Sequence, residues 1–284
     1  MKTMKKIVAA ALAVVLCLSL IACGAKDSAE STYGTIEAGK LIVATSPDYA
    51  PYEFYALDEN GTPSLAGFDM ALAQYIADEL GLELEIVPMD FNGILGEMAA
   101  GTADLAIAGL SPDPDRQIAM DFSDTYYEGK QAFVINSAKA DLFTDLASTN
   151  KAEFAIAAQT GTIQEELAAQ YSPDADYISL AKATDIIGEL ISGQIDGAYV
   201  EWDVAAAYQA NYPELTILCE VPYDAEGNVI GVAKGNAELL EAVNAALNKC
   251  VNEGTFSQFV AEALELAAGA TANYVEGEGI VPNE

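Results

Sequence analysis

Arg116 is the only arginine in a chain of 284 residues, and it stands in GLSPDPDRQIAMDFSD (109–124) among Asp113, Asp115, Asp121 and Asp124. A guanidinium is planar and can hold a carboxylate through two parallel hydrogen bonds, a geometry that lysine lacks. The surroundings permit two readings: a clamp for an anionic group, or a structural ion pair with Asp113, Asp115 or Asp121. Ser111 and Pro112 read as a helix start, a hydroxyl cap followed by proline at the first helical position, with Arg116 five residues beyond the cap. Acid–base chemistry is thinly supplied elsewhere. No histidine occurs in the chain, which removes Ser–His catalysis, histidine metal ligation and the commonest general base near neutral pH.

The N-terminus carries a different signal. Met1, Lys2, Lys5 and Lys6 precede an apolar run from Ile7 to Ile21, 15 residues long, short of the roughly 20 that a membrane-spanning helix needs. A basic start, a short apolar middle and a small residue before a cut describe a secretory signal, here residues 1–22. Leu20-Ile21-Ala22-Cys23 matches the bacterial lipobox, in which the thiol takes a diacylglyceryl group and becomes the mature N-terminus. Cys23 is therefore the expected lipid attachment. Residues 24–38 (GAKDSAESTYGTIEA) are small and polar, with no apolar period, and read as a flexible tether.

Cleavage takes three lysines and no acid from 12 basic and 44 acidic residues, leaving a net charge of −35. A field of that sign repels nucleic acid and anionic membrane surfaces, and no nucleic-acid partner is expected. Cys17 leaves with the signal, so Cys219 and Cys250 remain beside the lipid site. They read as small buried apolar residues, although an oxidising compartment permits a bridge between them.

The elements that must position Arg116 come from Lys40 onward, where strand and helix patterns alternate. LIVAT (41–45) is apolar and β-branched. GFDMALAQYIADEL (67–80) sets Phe68, Ala71, Leu72, Tyr75, Ile76 and Leu80 on one helical face, and Gly81 ends it. LELEIV (82–87), a helix through 93–100 and DLAIAGL (104–110) follow. Further strands are predicted at 131–135, 154–158, 177–180, 195–200, 215–219 and 229–233, with helices mostly between them. Such alternation predicts an α/β fold on largely parallel sheets. One stretch also echoes another: GEMAAGTADLAIAG (96–109) returns 92 residues later as GELISGQIDGAYVE (188–201). Each copy is a helix end, a glycine cap, a tight turn holding an aspartate, and an apolar strand. Two such units predict two lobes, with Gly109 and Glu201 at strand ends facing a shared cleft, where open α/β sheets gather ligands.

Six stretches carry a resemblance: LIVATSPDYAPYEF (41–54), GFDMALAQYIADELG (67–81), PMDFNGILGEMAAGTADLAIAGLSPDPDR (88–116), MDFSDTYY (120–127), AAQTGTIQEE (157–166) and IDGAYVEWDVA (195–205). In that order, they resemble the solute-binding proteins of polar amino-acid ABC importers, periplasmic-binding-protein family 3, in lipoprotein form. The resemblance covers Lys40 to about residue 265. It implies a type II two-lobed α/β fold: lobe one over 39–127, lobe two over 128–219, and a return through 220–284 that ends in C-terminal helices and a tail. Crossings are expected near Tyr127–Lys130 and Cys219–Tyr223.

By the same resemblance, Arg116 holds a ligand α-carboxylate. The loop Ala108, Gly109, Leu110 and Ser111 supplies a carbonyl from Gly109 and a hydroxyl from Ser111 to the ligand ammonium, and Glu201 supplies the opposing charge. Thr162 and Glu165 fit a capping box; the resemblance adds Thr162 and the N–H of Ile163 as ligand contacts. Tyr49 and Phe91 take the two aromatic wall positions, or serve as core aromatics. Ser46 stands where several relatives carry an aspartate for the ligand side chain, and Gln159 matches a variable lining position. The expected protein binds one free polar L-amino acid, basic or amide, and hands it to the permease subunits outside the cytoplasm. It is expected to be a monomer on a lipid anchor, with no cofactor, no metal site and no catalysis. Two alternatives stand beside this: a ligand sensor for a membrane receptor, and a cyclic-amino-acid dehydratase whose acid or base falls on Glu201, Asp48 or Glu53.

Overall fold

The computed structural model describes residues 32–224, 227–269, 271–275 and 279–282. The expected signal and Cys23 lie outside the described residues.

The first sheet is built from β1 (Lys40–Thr45), then β5 (Glu83–Pro88) and β6 (Leu105–Ala106), with β2 (Asp48–Tyr49), β3 (Glu53–Leu57) and β4 (Pro63–Ala66) forming a separate antiparallel ribbon. Helix α1 (Phe68–Leu80) and helix α2 (Phe91–Ala100) join β1, β5 and β6 into a strand–helix–strand–helix–strand unit. β1 lies between β5 and β6 and runs parallel to both. α1 turns Phe68, Leu72 and Ile76 inward and keeps Ala71, Tyr75 and Leu80 at the margin of the core, as its periodicity predicts.

β7 (Met120–Phe122) closes one edge of this sheet, and the chain then crosses to β8 (Gln131–Asn136) in a second sheet. That sheet repeats the plan with β9 (Ala155–Gln159), α3 (Ile163–Tyr171), β10 (Asp176–Leu180), α4 (Ala183–Ser192) and β11 (Gly197–Glu201). β9 lies between β10 and β11, parallel to both, and β8 runs antiparallel to β11. α5 (Trp202–Asn211) leads to β12 (Leu215–Val221), so the chain leaves the second sheet two residues beyond 219. It returns to β13 (Gly231–Ala233), which pairs antiparallel with β6 and β7. The two crossings are zipped together: Asn228 N donates to Tyr127 O at 2.7 Å, and Tyr126 N to Asn228 O at 2.9 Å. α6 (Ala237–Asn252) and α7 (Thr255–Ala267) then pack on α1.

The sequence echo is a structural one. Gly101 and Gly193 end α2 and α4 in the left-handed region, φ 69° and 75°, a backbone that favours glycine. Asp104 N donates to Ile42 O at 2.9 Å while its carboxylate accepts Ile42 N at 2.9 Å. Asp196 makes the same pair with Ala155, both at 2.8 Å. Each aspartate therefore staples the start of the third strand of its unit to the first.

Four expectations are corrected. The tether is shorter than 24–38, because Asn236 Nδ2 donates to Tyr33 O at 2.9 Å and the Asp104 carboxylate accepts Ile36 N at 2.8 Å, docking this segment on the first lobe. DLAIAGL forms a strand only at Leu105–Ala106 before bending into the cleft loop. Ser111–Pro112 starts no helix; one 3-10 turn forms later, at Arg116–Ile118. The Ser111 carbonyl that would open a helix accepts Arg116 Nη1 at 2.8 Å, and Asp115 N turns to the Asp113 carboxylate at 2.6 Å. The expected tail also contains two paired strands, β14 (Thr271–Val275) and β15 (Gly279–Pro282), which extend the ribbon through β3.

Candidate functional site

The carboxyl ends of β1, β6, β9 and β11 meet at one cleft, lined by Ser46, Asp48, Tyr49, Glu53, Phe91, Ala108, Gly109, Ser111, Arg116, Gln131, Gln159, Thr162, Ile163, Gln164, Glu201 and Asn228. Eleven of the twelve expected ligand-binding positions are thus brought together. Leu110 is not on this wall: its side chain packs in the core with Met120 and Ala108, because residue alternation turns it away from Gly109.

Arg116 is buried, and no carboxylate lies within ion-pair distance of it among the described residues. Its Nη1 bonds Ser111 O, its Nη2 reaches across the cleft to Gly161 O at 3.1 Å, and its guanidinium lies 5.4 Å from the Phe91 ring centre. The ion pair with Asp113, Asp115 or Asp121 is therefore not formed; Asp121 instead holds Lys234 at 2.6 Å. Burial lowers the guanidinium pKa, an effect that Asp113 and Glu166 oppose only through space. A buried guanidinium without a paired carboxylate has N–H donors that could receive an anion.

On the opposite lobe, Glu201 ends β11 and caps α5. One carboxylate oxygen accepts Asp203 N at 2.6 Å and Val204 N at 3.0 Å, while the other faces Lys130 N at 3.3 Å. Burial, with Asp203 adding, pushes its carboxyl up to about 8, against these backbone donors. The sequence reading missed the cap.

Gly109 sits at φ 55°, its N–H held by the buried Asp69 carboxylate at 2.7 Å and its carbonyl accepting Asn228 Nδ2 at 2.7 Å. Ser111 Oγ accepts Tyr223 O–H at 2.8 Å. At α3, Thr162 is the N-cap residue but the expected capping box does not form. The Thr162 hydroxyl donates to Gln159 O at 2.7 Å, and Glu165 accepts Gly161 N at 2.9 Å, one position early. The Ile163 N–H is in the first helical turn, where no intrahelical acceptor exists. Tyr49 accepts Gln164 Nε2 at 3.2 Å from the other lobe, so it braces the cleft as well as walling it. Cys219 and Cys250 are both free thiols on different sheets' elements, and no bridge joins them.

Asp48, Glu53, Gln131, Gln164 and Asn228 line the cleft without having been expected as ligand contacts. Asp48 lies two residues from Ser46, and a bend at Pro47, closed by Asp48 N donating to Ser46 O at 2.8 Å, brings the two side chains together. Glu53 is fully buried with no hydrogen-bond partner on either oxygen, and burial, together with Asp69 and Asp48, raises its carboxyl well above the usual range. Among the described residues no cluster of Asp, Glu or Cys could hold a metal ion, and no helix is long and apolar enough to cross a membrane.

A family description, bacterial extracellular solute-binding proteins, family 3, matches residues 41–264. The chain belongs to this family. The arginine-binding extracellular protein ArtP of Bacillus subtilis is 30% identical over 257 residues, covering 88% of this chain and 94% of the relative. An amino acid ABC transporter substrate-binding protein of Streptococcus pneumoniae Canada MDR_19A, solved bound to L-arginine, is 37% identical with a TM-score of 0.75, covering 80% of this chain and 94% of that one. Cyclohexadienyl dehydratase of Pseudomonas aeruginosa is also similar, 28% identical over 73% of this chain and 77% of its own length. The two-lobed α/β plan of this solute-binding protein is the type II periplasmic-binding-protein fold.

Proposed function

We propose that this chain is the extracytoplasmic substrate-binding component of an ABC importer, lipidated at Cys23, and that its cleft closes over a basic L-amino acid for delivery to the permease. The observation that carries the ligand class is charge. Asp48, Glu53 and Glu201 line the cleft against one guanidinium, Arg116. Burial raises all three carboxyls toward the neutral form; an acidic ligand side chain adds to the cost of ionising them, a neutral one leaves it unchanged, and a cationic one offsets it.

The roles follow from position. Arg116, with the start of α3 at Thr162 and Ile163, takes the α-carboxylate. Glu201 takes the ammonium, with the Gly109 carbonyl and Ser111 hydroxyl beside it. Tyr49 and Phe91 flank the side chain. The arginine named for the Bacillus relative and bound in the Streptococcus structure supports the ligand class; their transporter names support delivery to a permease.

Thermal unfolding with a panel of amino acids tests the reading, since a ligand of the folded state stabilises by RT ln(1 + [L]/Kd). Arginine, lysine or histidine is expected to give the largest shift and to be recovered chemically unchanged. The largest shift from glutamate, or conversion of the bound compound, overturns it.

A further inference from the structure

Asp48 is buried on the first-lobe wall, and its partners are a cluster apart from Arg116 and Glu201. Oδ1 accepts the Ser46 hydroxyl at 2.9 Å. Oδ2 accepts Ala183 N at 2.7 Å, from the start of α4 across the cleft, and Gln159 Nε2 at 3.3 Å. A carboxylate offers about four acceptor positions, so one remains, on Oδ1.

Ser46 and Gln159 have no side-chain donor left to offer. The one Ser46 hydroxyl proton is given to Asp48. The Gln159 amide nitrogen gives one N–H to Asp48 and the other to Ala181 O at 3.1 Å; these two acceptors fix which way the amide faces. What remains is a set of acceptors: Asp48 Oδ1, the Ser46 oxygen and the Gln159 side-chain oxygen. Guanidinium and ammonium groups are donors only, whereas an amide or carboxylate brings acceptors that would meet acceptors.

Resting on the basic-amino-acid reading above, we propose that Ser46, Asp48 and Gln159 form an acceptor-only subsite for the ligand's cationic side chain, with Asp48 as its countercharge. The subsite selects arginine over a neutral isostere of the same length. It also answers the serine at position 46: the acid stands two residues later. Around Asp48, Lys182 favours the ionised form and Asp90 opposes it, with Lys182 Nζ itself 3.9 Å from Asp90, while Glu53 faces the same carboxyl. Burial outweighs all of these and holds Asp48 up to about 6.

Citrulline replaces one guanidinium nitrogen of arginine with a carbonyl oxygen and removes the charge, so its affinity relative to arginine isolates the side chain. In calorimetry at pH 7.5, the native protein is expected to prefer arginine by on the order of 30-fold or more. Asp48→Asn, which keeps an oxygen for Ala183 N, is expected to collapse that preference to about threefold or less. A second measurement uses the native protein alone. The preference should shrink as pH falls from 7 to 5 and Asp48 takes a proton, while the α-carboxylate and ammonium sites cancel between the two ligands. Equal weakening of both ligands by Asp48→Asn would reduce Asp48 to a latch between the lobes and overturn the subsite, as would a pH-independent preference. If the native protein binds neither ligand and no other amino acid raises its unfolding temperature, the amino-acid reading of the cleft falls, and the subsite with it.

Discussion

Arg116 spans the cleft: its guanidinium joins the Ser111 carbonyl on one lobe to the Gly161 carbonyl on the other, at 2.8 and 3.1 Å. Two of five N–H groups are used in this way, and the group lies 5.4 Å from the Phe91 ring centre. The remaining donors belong to a rigid fork at the mouth of α3. Under the proposed function, closure and anion recognition therefore share one side chain.

Arg116→Lys keeps the charge and loses the fork. Lysine cannot bond Ser111, Gly161 and a carboxylate in one plane. Affinity for the preferred amino acid is expected to fall by roughly 2–5 kcal/mol in calorimetry. Binding equal to that of the native protein would remove Arg116 from the carboxylate site.

Glu201 makes binding depend on pH with a definite sign. Its carboxyl, pushed up to about 8 by burial and Asp203, is mostly protonated at pH 7, and an ammonium needs the ionised form. Binding must then release a proton. From pH 7 to 8, above most of the range where Asp48 and Asp69 change charge, affinity should rise by up to about tenfold and level off beyond. Calorimetric heats should vary with buffer ionisation enthalpy. Glu201→Gln is expected to weaken binding and abolish both dependences; a slope that survives in that variant assigns it elsewhere.

The echo between 96–109 and 188–201 carried real topology because its aspartates have a backbone duty. Asp104 and Asp196 each close a two-bond ring with the first strand of their unit, so residue type and spacing were both constrained. Strand and helix order was legible for the same reason: burial on one face imposes a period. The loop 109–116 was not. Its helix start reads correctly by local rules, but the long side chain of Arg116 competes for the carbonyl that a helix needs, and no local rule sees that contact. The acceptor-only corner was missed likewise, because it depends on Ala183, 135 residues away. Glu201 was visible as a charge facing the cleft and invisible as a cap.

Asp104 gives a stability test of the echo. Its two oxygens accept Ile36 N and Ile42 N at 2.8 and 2.9 Å, both in the first lobe. Asparagine has one acceptor oxygen, so Asp104→Asn leaves a backbone N–H facing an amide N–H. A loss of about 1–3 kcal/mol is expected in urea unfolding, with ligand affinity unchanged. A change below about 0.5 kcal/mol would show that the staple is replaceable.

Cys23→Ser tests anchoring, motivated by Leu20-Ile21-Ala22-Cys23. The variant should lose lipid labelling and leave the membrane fraction; labelling that persists places the lipid on another residue.

The last prediction concerns Glu53, fully buried beside Asp69 without a hydrogen-bond partner on either oxygen. In the unfolded chain its carboxyl ionises near its ordinary value of 4.5, while burial keeps it protonated in the folded protein well above that. Between the two values the folded state binds more protons than the unfolded one, so stability falls as pH rises. Asp48 and Asp69, each held up to about 6, and Glu201, held to about 8, act with the same sign. Without added amino acid, the unfolding midpoint should therefore decline from pH 5 to pH 8. Glu53→Gln fills the same space with a group that never ionises. Its advantage over the native protein should be small at pH 5 and should grow with each unit of pH, by at most about 1.4 kcal/mol per unit. Parallel pH profiles for the two proteins would mean that Glu53 is ionised in the fold, with a partner that offsets its burial.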